Sequence, residues 1–362
     1  MKTHFILLSA LTALTHILSA EEKLPCIEWQ RESLCLVAES GNYGRMIRLK
    51  NKEILCCYQR AGQCRVKRSP DEGKTWKDEV CVTSYDKGIA ASPELLQMKN
   101  GRVMLCYNER PDDTESHYTI MTRFSSDNGN TWGRAIKLFE AGRTFADGCG
   151  EPALLQYPDG EIQVFFANES AYTYSDEQEI SVISSTDNGN SWQGPGTISF
   201  RSGHRDGMPV PCLLSNGTEI VVVIEDTGLC GTVKPVVLRD FTLNRWKRII
   251  IKGNSPRRQS ALLRPLPADI YAGAPYIRQM PSGITVLSVQ SRERKPNEEP
   301  AVYVGNRQAR NFTNRTFPLD LDEGIEGSWN SLFVKNSETI TLVSTATING
   351  HKGIWAIDGK FK

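Results

Sequence analysis

The sequence has no excess of charge of either sign, because 43 lysine and arginine residues nearly balance 42 aspartate and glutamate residues. Proteins that bind nucleic acids usually carry a basic excess, so this class is disfavoured. Beyond residue 20 the sequence also lacks an apolar run long enough to span a membrane as a helix. With 39% hydrophobic and 23% charged residues, the 362-residue chain is typical of a globular protein with a sizeable core.

Several common catalytic signatures are also absent. The sequence contains no nucleophilic serine elbow, no phosphate-binding P-loop and no dinucleotide-binding fingerprint. Its ten cysteines form no C-x-x-C pair, and no second histidine is placed beside His204 to complete a set of metal ligands. The sequence therefore predicts no zinc site.

Residues 1–20 combine a lysine, a short apolar run and an end of small residues, which is typical of a secretory signal peptide. We therefore expect an exported protein, extracellular or periplasmic, with no membrane insertion. No composition shift divides the remaining residues, so 21–362 are expected to form one domain and a monomer.

The ten cysteines fit an oxidising compartment. Cys64 and Cys81 flank an acidic loop, so a disulfide between them could tie the two strands of one hairpin. Cys57 and Cys106 fall within apolar runs and are expected to be buried free thiols.

A hairpin pattern recurs six times along the chain. It consists of an apolar strand, a tight turn and a β-prone strand, as in SPELLQMKNGRVMLCYNER at 92–110 and EPALLQYPDGEIQVFFANE at 151–169. The turns recur at intervals of roughly 50–65 residues, the size of one propeller blade. The sequence predicts an all-β fold, a six-bladed β-propeller of four-stranded antiparallel blades. We expect residues 26–37 to return and complete the last blade, which the chain end leaves short.

A second pattern is an acidic loop, Ser-x-Asp-x-Gly-x-Thr/Ser-Trp. It occurs as SPDEGKTW at 69–76, SSDNGNTW at 125–132 and STDNGNSW at 185–192. The aspartate can accept hydrogen bonds from its own turn, and the glycine provides a positive φ. Since these loops join the third and fourth strands of a blade, they lie opposite the face where a second strand ends. They are therefore predicted to be structural braces.

The other face of the propeller collects residues that precede a first strand or follow a second strand. Glu151 and Glu225 belong to this set, and two carboxylates facing each other across a sugar are what glycosidic hydrolysis requires. Pro152 is expected to hold Glu151 in an extended conformation. The apolar run VVVI before Glu225 is expected to raise its pKa. The alternative for each glutamate is a solvated side chain at a strand end.

The same count brings further residues to this rim, Arg110 among them. Glu109 and Glu169 occupy the same class of position as Glu225, so the repeat alone does not rank the three. Arg205 and Asp206 can bind sugar hydroxyls or form an ordinary ion pair. The remaining candidates for substrate binding are Tyr43, Arg45, Arg60, Tyr276, Arg292 and Trp329. The alternative for the aromatic residues among them is a role in packing.

The acidic loops resemble the repeats of sialidase-type propellers. Within that superfamily the chain is most similar to glycoside hydrolase family 93, the exo-acting α-L-arabinanases. The segments that carry this resemblance are GEPALLQYPDGEIQVFF, RDGMPVP followed by IVVVIED, YAGAPYIRQMPSGITVLSV and GSWNSLF.

The resemblance implies a retaining hydrolase of α-1,5-linked arabinan that needs no metal or organic cofactor. It implies that Glu151 and Glu225 are the nucleophile and the acid/base, without assigning which is which. One departure is Gly150, where the resemblance implies an aromatic residue. A sialidase and a non-catalytic glycan-binding propeller are the alternatives. A sialidase needs three arginines around a carboxylate, and Met46 interrupts the Arg-Ile-Pro signature expected after Arg45.

Overall fold

The computed structural model describes residues 23–247, 249–294, 296 and 298–362, so the predicted signal peptide lies outside the described residues. These residues form strands and one short 3-10 turn at Phe145–Asp147. In chain order the strands are β1 Ile27–Glu39, β2 Asn42–Arg48, β3 Ile54–Arg60, β4 Gln63–Ser69, β5 Lys77–Ser84, β6 Gly88–Gln97, β7 Val103–Pro111, β8 Thr119–Ser125, β9 Ile136–Glu140, β10 Cys149–Gln156, β11 Ile162–Asn168, β12 Glu179–Ser185, β13 Gln193–Phe200, β14 Asp206–Leu213, β15 Glu219–Cys230, β16 Thr232–Phe241, β17 Ile251–Lys252, β18 Arg258–Ser260, β19 Ala272–Gln279, β20 Thr285–Ser291, β21 Glu299–Gly305, β22 Thr313–Thr316, β23 Gly327–Val334, β24 Thr339–Ile348 and β25 His351–Phe361. No helix among the described residues has the length and apolar character needed to cross a bilayer.

The strands form six antiparallel sheets, which confirms the predicted six-bladed propeller. Blades one to five run outward from β2, β6, β10, β14 and β19 through successive strands, except that blade four passes from β16 to β18. The innermost strands contact one another in a closed ring, β2–β6–β10–β14–β19–β23 and back to β2. Blade three gains a fifth strand, because β17 pairs in parallel with β13.

The sixth blade is closed by the N-terminal part of the described chain. Its strand order is β23–β24–β25–β1, so β1 is the outermost strand and pairs antiparallel with β25. The prediction that residues 26–37 return to complete this blade is confirmed. Pairing the last blade with the first strand joins the ring noncovalently, and it covers the edge of β25 that would otherwise be open.

Each second strand is apolar on both faces because it is packed between two other blades. In β7, Leu105 and Tyr107 pack against the core of blade one, whereas Met104 and Cys106 face the core shared with blade three. All four side chains are fully buried. The alternation follows from the two-residue period of a strand. Each such side chain contributes roughly 1.5–3 kcal/mol by leaving water, so the seams between blades hold the ring together.

The acidic loops brace the blades on the face opposite the ends of the second strands. Asp127 accepts hydrogen bonds from the backbone N–H of Thr131 at 2.8 Å and from the hydroxyls of Thr131 and Ser125 at 2.6 and 2.7 Å. These bonds lower the pKa of Asp127 to about 2. Trp132 packs against the core of the preceding blade, which contains Leu55. The equivalent aspartates with the same contacts are Asp71 and Asp187.

All ten cysteines are free thiols in the structure. Cys57 and Cys106 are fully buried, as predicted. Cys64 and Cys81 lie on the paired strands β4 and β5 but are out of register, since Cys64 pairs with Thr83 and Cys81 with Arg65. The predicted disulfide between them is therefore not formed in the structure.

Candidate active site

Each innermost strand carries a β-bulge near its start, on the face where the second strands end. At each bulge one non-glycine residue has a positive φ, between 44° and 59°. These six residues, which we call the bulge ring, are Tyr43, Ser92, Glu151, Met208, Ala274 and Trp329. Such a conformation costs of order 1–3 kcal/mol and redirects a side chain out of the strand's regular alternation. Glu151 is the one charged member of the ring.

The bulge also corrects a prediction about Glu151. Pro152 was expected to hold Glu151 extended, but the φ of Glu151 is +57°. The bulge geometry overrides the usual preference of a residue before proline. The carboxylate is therefore positioned by a strained backbone rather than by an extended one.

A second set of equivalent positions lies directly beside the bulge ring. The residue preceding each bulge residue pairs with one residue of the blade's second strand, as Gly207 pairs with Glu225. The six second-strand residues, which we call the partner ring, are Gln59, Asn108, Ala167, Glu225, Gln290 and Thr345. Glu225 is the one charged member of this ring.

Backbone N–H groups of the bulge ring bind the preceding blade and fix both glutamates. The N–H of Met208 donates to Glu151 Oε2 at 3.1 Å, and the N–H of Ala274 donates to Glu225 Oε1 at 2.5 Å. The N–H of Trp329 donates in the same way to Gln290 Oε1 at 3.0 Å. Because Glu151 lies on blade three and Glu225 on blade four, the two carboxylates meet across the seam between adjacent blades.

Burial, followed by the negative charge of Glu151, raises the pKa of Glu225 to about 7. The N–H of Ala274 acts against this by stabilising the carboxylate. The raised pKa of Glu225 agrees with the prediction made from the apolar VVVI run that precedes this residue. Near neutral pH, Glu225 can hold or release a proton.

Two glycines leave room for the Glu225 carboxylate. A Cβ on Gly207 would lie 3.4 Å from Glu225 Oε2, and a Cβ on Gly273 would lie 2.5 Å from Glu225 Oε1. The Gly273 Cβ would also lie 2.2 Å from the hydroxyl of Tyr271, which hydrogen-bonds Glu225. A side chain at position 273 would therefore displace the Glu225 carboxylate and the Tyr271 hydroxyl from these positions.

Glu151 lies in a cleft of about 180 Å³ that is lined by blades two, three and four and by the bulge residue Trp329. Burial raises the pKa of its carboxyl group, while the guanidinium groups of Arg110 and Arg205 lower it. Glu169 forms an ion pair with Arg205 and lines the same cleft. Burial has the larger effect, so the pKa of Glu151 is raised overall, but two guanidinium groups favour its carboxylate and none is among the main influences on Glu225.

Aromatic residues border this cleft on its open side. Trp329 is 37% exposed and Phe145 is 65% exposed. Tyr43 lies beneath Trp329, with ring centroids 5.8 Å apart, and packs with Met208 and Ala274 at the centre of the ring. Burial raises the pKa of Tyr43 to about 12. Trp329 thus offers an exposed ring, whereas Tyr43 forms part of the floor.

Arg45 and Tyr276 lie deeper than predicted. Each is two residues beyond its bulge residue, and their exposed fractions are 3% and 1%. Arg45 lies 3.7 Å from the carboxylate of Glu94, and the hydroxyl of Tyr276 donates to the same carboxylate at 3.3 Å. The prediction that they contact substrate is corrected, because this buried cluster fills the channel below the mouth.

Three further candidates point away from the cleft. Glu109 is one residue beyond Asn108, so it faces the other side of β7 and accepts from the Thr119 hydroxyl at 3.1 Å. Arg60 forms an ion pair with Glu79 on β5. Asp206 is fully buried and bound to Arg258 and Ser199. The predictions that Glu109, Arg60 and Asp206 bind substrate are therefore corrected, because each of these side chains alternates away from the mouth.

Arg292 lies near the site but is engaged with other side chains. Its guanidinium forms an ion pair with Glu298 at 2.7 Å and lies 5.5 Å from the centroid of the Tyr271 ring. The negative charge of Glu298 raises the pKa of Glu225. Arg292 therefore belongs to the surroundings of Glu225 rather than to the open cleft.

Two residues that line or support the cleft were not predicted from the sequence. Gln178 lines it together with Glu151 and the predicted rim residue Arg110, and Tyr271 contacts Glu225. Tyr271 lies in a loop between blades, where the hairpin repeat gives no positional signal. No group of three potential metal-ligating side chains is found in the described part of the chain.

No family model matches the sequence, and no curated protein matches it significantly. Solved structures do match. The α-L-arabinofuranosidase Arb93A of Fusarium graminearum is 18% identical, with a TM-score of 0.72 over 91% of this chain and 98% of that one. An α-L-arabinanase of Penicillium chrysogenum is 17% identical, with a TM-score of 0.67 over 93% and 98%.

Sialidases match with lower scores. The NanB sialidase of Streptococcus pneumoniae is 11% identical, with a TM-score of 0.60 over 91% of this chain and 70% of that one. Identities this low establish the fold alone. The protein is therefore a six-bladed β-propeller, with the fold that these arabinofuranosidase, arabinanase and sialidase structures share.

Proposed function

We propose that the protein is a secreted, retaining glycoside hydrolase that acts on a neutral plant glycan, with Glu151 and Glu225 as its catalytic residues. The observation that carries the proposal is the arrangement of the two rings. Among twelve equivalent positions, the two charged residues lie on adjacent blades, at one mouth, and are electrostatically coupled. A glycan-binding module that performs no chemistry has no need for two such carboxylates.

The surroundings of the two glutamates support different roles for them. Glu225, with a pKa of about 7, is suited to protonate the glycosidic oxygen of the leaving group. Glu151, beside Arg110 and Arg205, is suited to attack the anomeric carbon as a carboxylate. The N–H of Met208, at the bulge of blade four, donates a hydrogen bond to Glu151 and holds this nucleophile in place.

The reaction follows in two steps. Glu151 forms an ester bond to the anomeric carbon while the glycosidic bond breaks and Glu225 gives its proton to the departing oxygen. Glu225, now a carboxylate, removes a proton from water, and the water oxygen displaces Glu151. Two inversions at the anomeric carbon give net retention, and no metal or cofactor takes part.

The substrate that we favour is α-1,5-linked L-arabinan, cut from a chain end. The solved arabinofuranosidase and arabinanase structures share the fold, and two of them contain arabinobiose. The exposed ring of Trp329 is suited to stack on a sugar face. Position 150 itself supplies no aromatic side chain, so Trp329 and Phe145 are the exposed aromatic residues of the cleft, while the third aromatic residue of its lining, Tyr118, is buried.

A sialidase is less well supported, because sialidase chemistry needs a cluster of arginines free to bind a carboxylate. The candidate arginines are spread over three blades, and each is paired with a carboxylate of its own: Arg45 with Glu94, Arg60 with Glu79, Arg205 with Glu169 and Arg292 with Glu298.

Separate Glu151→Gln and Glu225→Gln variants test the proposal with linear arabinan, other plant glycans and a sialoside. We expect each variant to lose at least about a thousandfold in kcat while keeping the thermal unfolding profile of the parent protein. An aryl glycoside with a good leaving group should restore activity to Glu225→Gln but not to Glu151→Gln, since such a group departs without protonation. Robust hydrolysis of arabinan by either folded variant would refute the catalytic pair.

A further inference from the structure

A second cavity opens in blade six, beside the catalytic cleft. It has a volume of about 300 Å³ and lies between the loop that precedes β23, the end of β24 and the start of β25. The residues that define this blade-six cavity include Gly324, Glu326, Ser328, Thr345, Thr347 and Lys352. Its volume is within the range of roughly 300–1,000 Å³ that is usual for small-molecule sites.

The blade-six cavity lies at the level of the catalytic glutamates. The Ser328–Thr345 pair of blade six is equivalent to the Gly207–Glu225 pair of blade four. The next residue, Trp329, lines the catalytic cleft. Consecutive residues of β23 therefore border the two openings, and the exposed ring of Trp329 belongs to the strand segment between them.

The side chains around this cavity are suited to a sugar. Ser328, Thr345 and Thr347 carry hydroxyl groups, which can each donate and accept a hydrogen bond. Thr345 is 5% exposed, and its hydroxyl has no hydrogen-bond partner in the described protein. A buried hydroxyl without a partner is costly and therefore rare in native structures.

We propose that the blade-six cavity is a second subsite, which binds a neutral sugar unit of the same glycan chain whose end is held at Glu151 and Glu225. The proposal rests on the proposed function. Glu326 and Lys352 carry opposite charges, so the lining has no net charge that would select an acidic sugar or a phosphate. Hydroxyl-rich, nearly neutral walls beside an exposed tryptophan fit an uncharged pentose or hexose unit.

A Thr347→Trp variant tests this subsite, because Thr347 lies near the end of β24 and a large ring there fills the cavity. The catalytically inactive Glu225→Gln protein is titrated by calorimetry with arabino-oligosaccharides of two to about six units. We expect affinity to rise with chain length in Glu225→Gln. Adding Thr347→Trp should remove this rise and weaken binding of the longest oligosaccharide about tenfold, or about 1.4 kcal/mol, while binding of the shortest is unchanged.

Two further variants serve as controls. Ser337→Trp places the same ring in an exposed turn of blade six on the opposite face and should leave every affinity unchanged. Thr347→Val removes one hydroxyl with little change of volume, and it replaces the tryptophan variant if that protein does not fold.

The possible results separate the two proposals. The subsite would be overturned if adding Thr347→Trp to Glu225→Gln left every affinity unchanged, or lowered the affinities for short and long oligosaccharides equally. Either result would leave the catalytic proposal standing. Failure of the inactive protein to bind any arabino-oligosaccharide, together with no hydrolysis by the parent, would overturn the proposed substrate and the subsite with it.

Discussion

At the scale of single residues, strand register decides which glutamates reach the mouth. The repeat alone did not rank Glu109, Glu169 and Glu225. The structure does, because the position equivalent to Glu225 is Asn108 in blade two and Ala167 in blade three. Glu109 is one residue too far, and a shift of one residue turns a side chain to the other face. An alignment of the six hairpins from their first strands carries this information in the sequence.

The buried residues of the channel could not be assigned from the repeat. Arg45 and Tyr276 were predicted to reach substrate because they are polar or aromatic and close to the rim in sequence. Their exposure depends on how far Glu94 of blade two reaches across the axis towards Arg45 and Tyr276. Such contacts between blades have no counterpart in the local sequence.

The pKa of Glu225 leads to a prediction about pH. Glu225 acts as an acid only when protonated, so kcat/KM should fall as pH rises through about 7 and be about tenfold below its plateau one unit higher. Glu298→Gln removes a negative charge that raises this pKa. The alkaline limb of its pH–rate profile should therefore lie at lower pH than that of the parent.

Glu338→Gln is the matched control, since Glu338 is exposed in a turn on the opposite face. Its profile should coincide with that of the parent. An alkaline limb that stays in place in Glu298→Gln, or moves to higher pH, would contradict the proposed influence of Glu298 on Glu225.

At the scale of elements, the hairpins were predictable and the bulges were not. Asn-Gly, Asp-Gly and Ser-Gly turns between β-prone runs are strong local signals. A bulge is imposed by the crowding of six strands around one axis, so propensity does not reveal it. One signal was present, however: Ser92, Glu151, Met208 and Ala274 each precede a proline at the same place in their blades. A single residue before proline is expected to be extended. The recurrence of such a residue–proline pair at the same place in four blades marks the bulge instead.

The acidic loops should affect stability rather than catalysis. Asp127→Ala removes hydrogen bonds to Thr131 and Ser125 that hold the loop of Trp132. We expect the free energy of unfolding to fall by about 1–2 kcal/mol, because these bonds are partly exposed to water. The kcat of the folded protein should be unchanged. Chemical denaturation and turnover at a temperature below unfolding are the measurements.

Asp113→Ala is a useful comparison, because Asp113 also binds its own turn, through Ser116, but in an exposed loop that carries no tryptophan. It should change stability less than Asp127→Ala does. A selective loss of turnover in well-folded Asp127→Ala would show that the acidic loop is more than a brace.

At the scale of the whole molecule, the closure of the ring was predictable because the last repeat lacks one strand. The consequence is that β1 holds blade six, and blade six holds the ring. Its Trp29 also donates to the Thr316 hydroxyl on β22 at 2.9 Å, so β1 ties blade six to blade five.

A chain that starts at residue 40 therefore tests closure. Without β1, the edge of β25 is exposed along its length, and we expect the Tm to fall by at least about 10 °C with loss of a single cooperative transition. Calorimetry measures both. Adding back a peptide of residues 26–39 should raise the Tm, whereas a scrambled peptide should not. An unchanged Tm in the shortened chain would refute the role of β1 in closure.

The pairing of β1 with β25 also sets the orientation of anything joined to the protein. Ile27 lies opposite Phe361, and Cys26 and Lys362 exchange backbone hydrogen bonds of 3.3 and 2.9 Å. Since β25 starts at the mouth and runs away from it, both of these chain positions emerge on the underside. A tether attached at either one would leave the mouth that carries Glu151 and Glu225 facing away from the point of attachment.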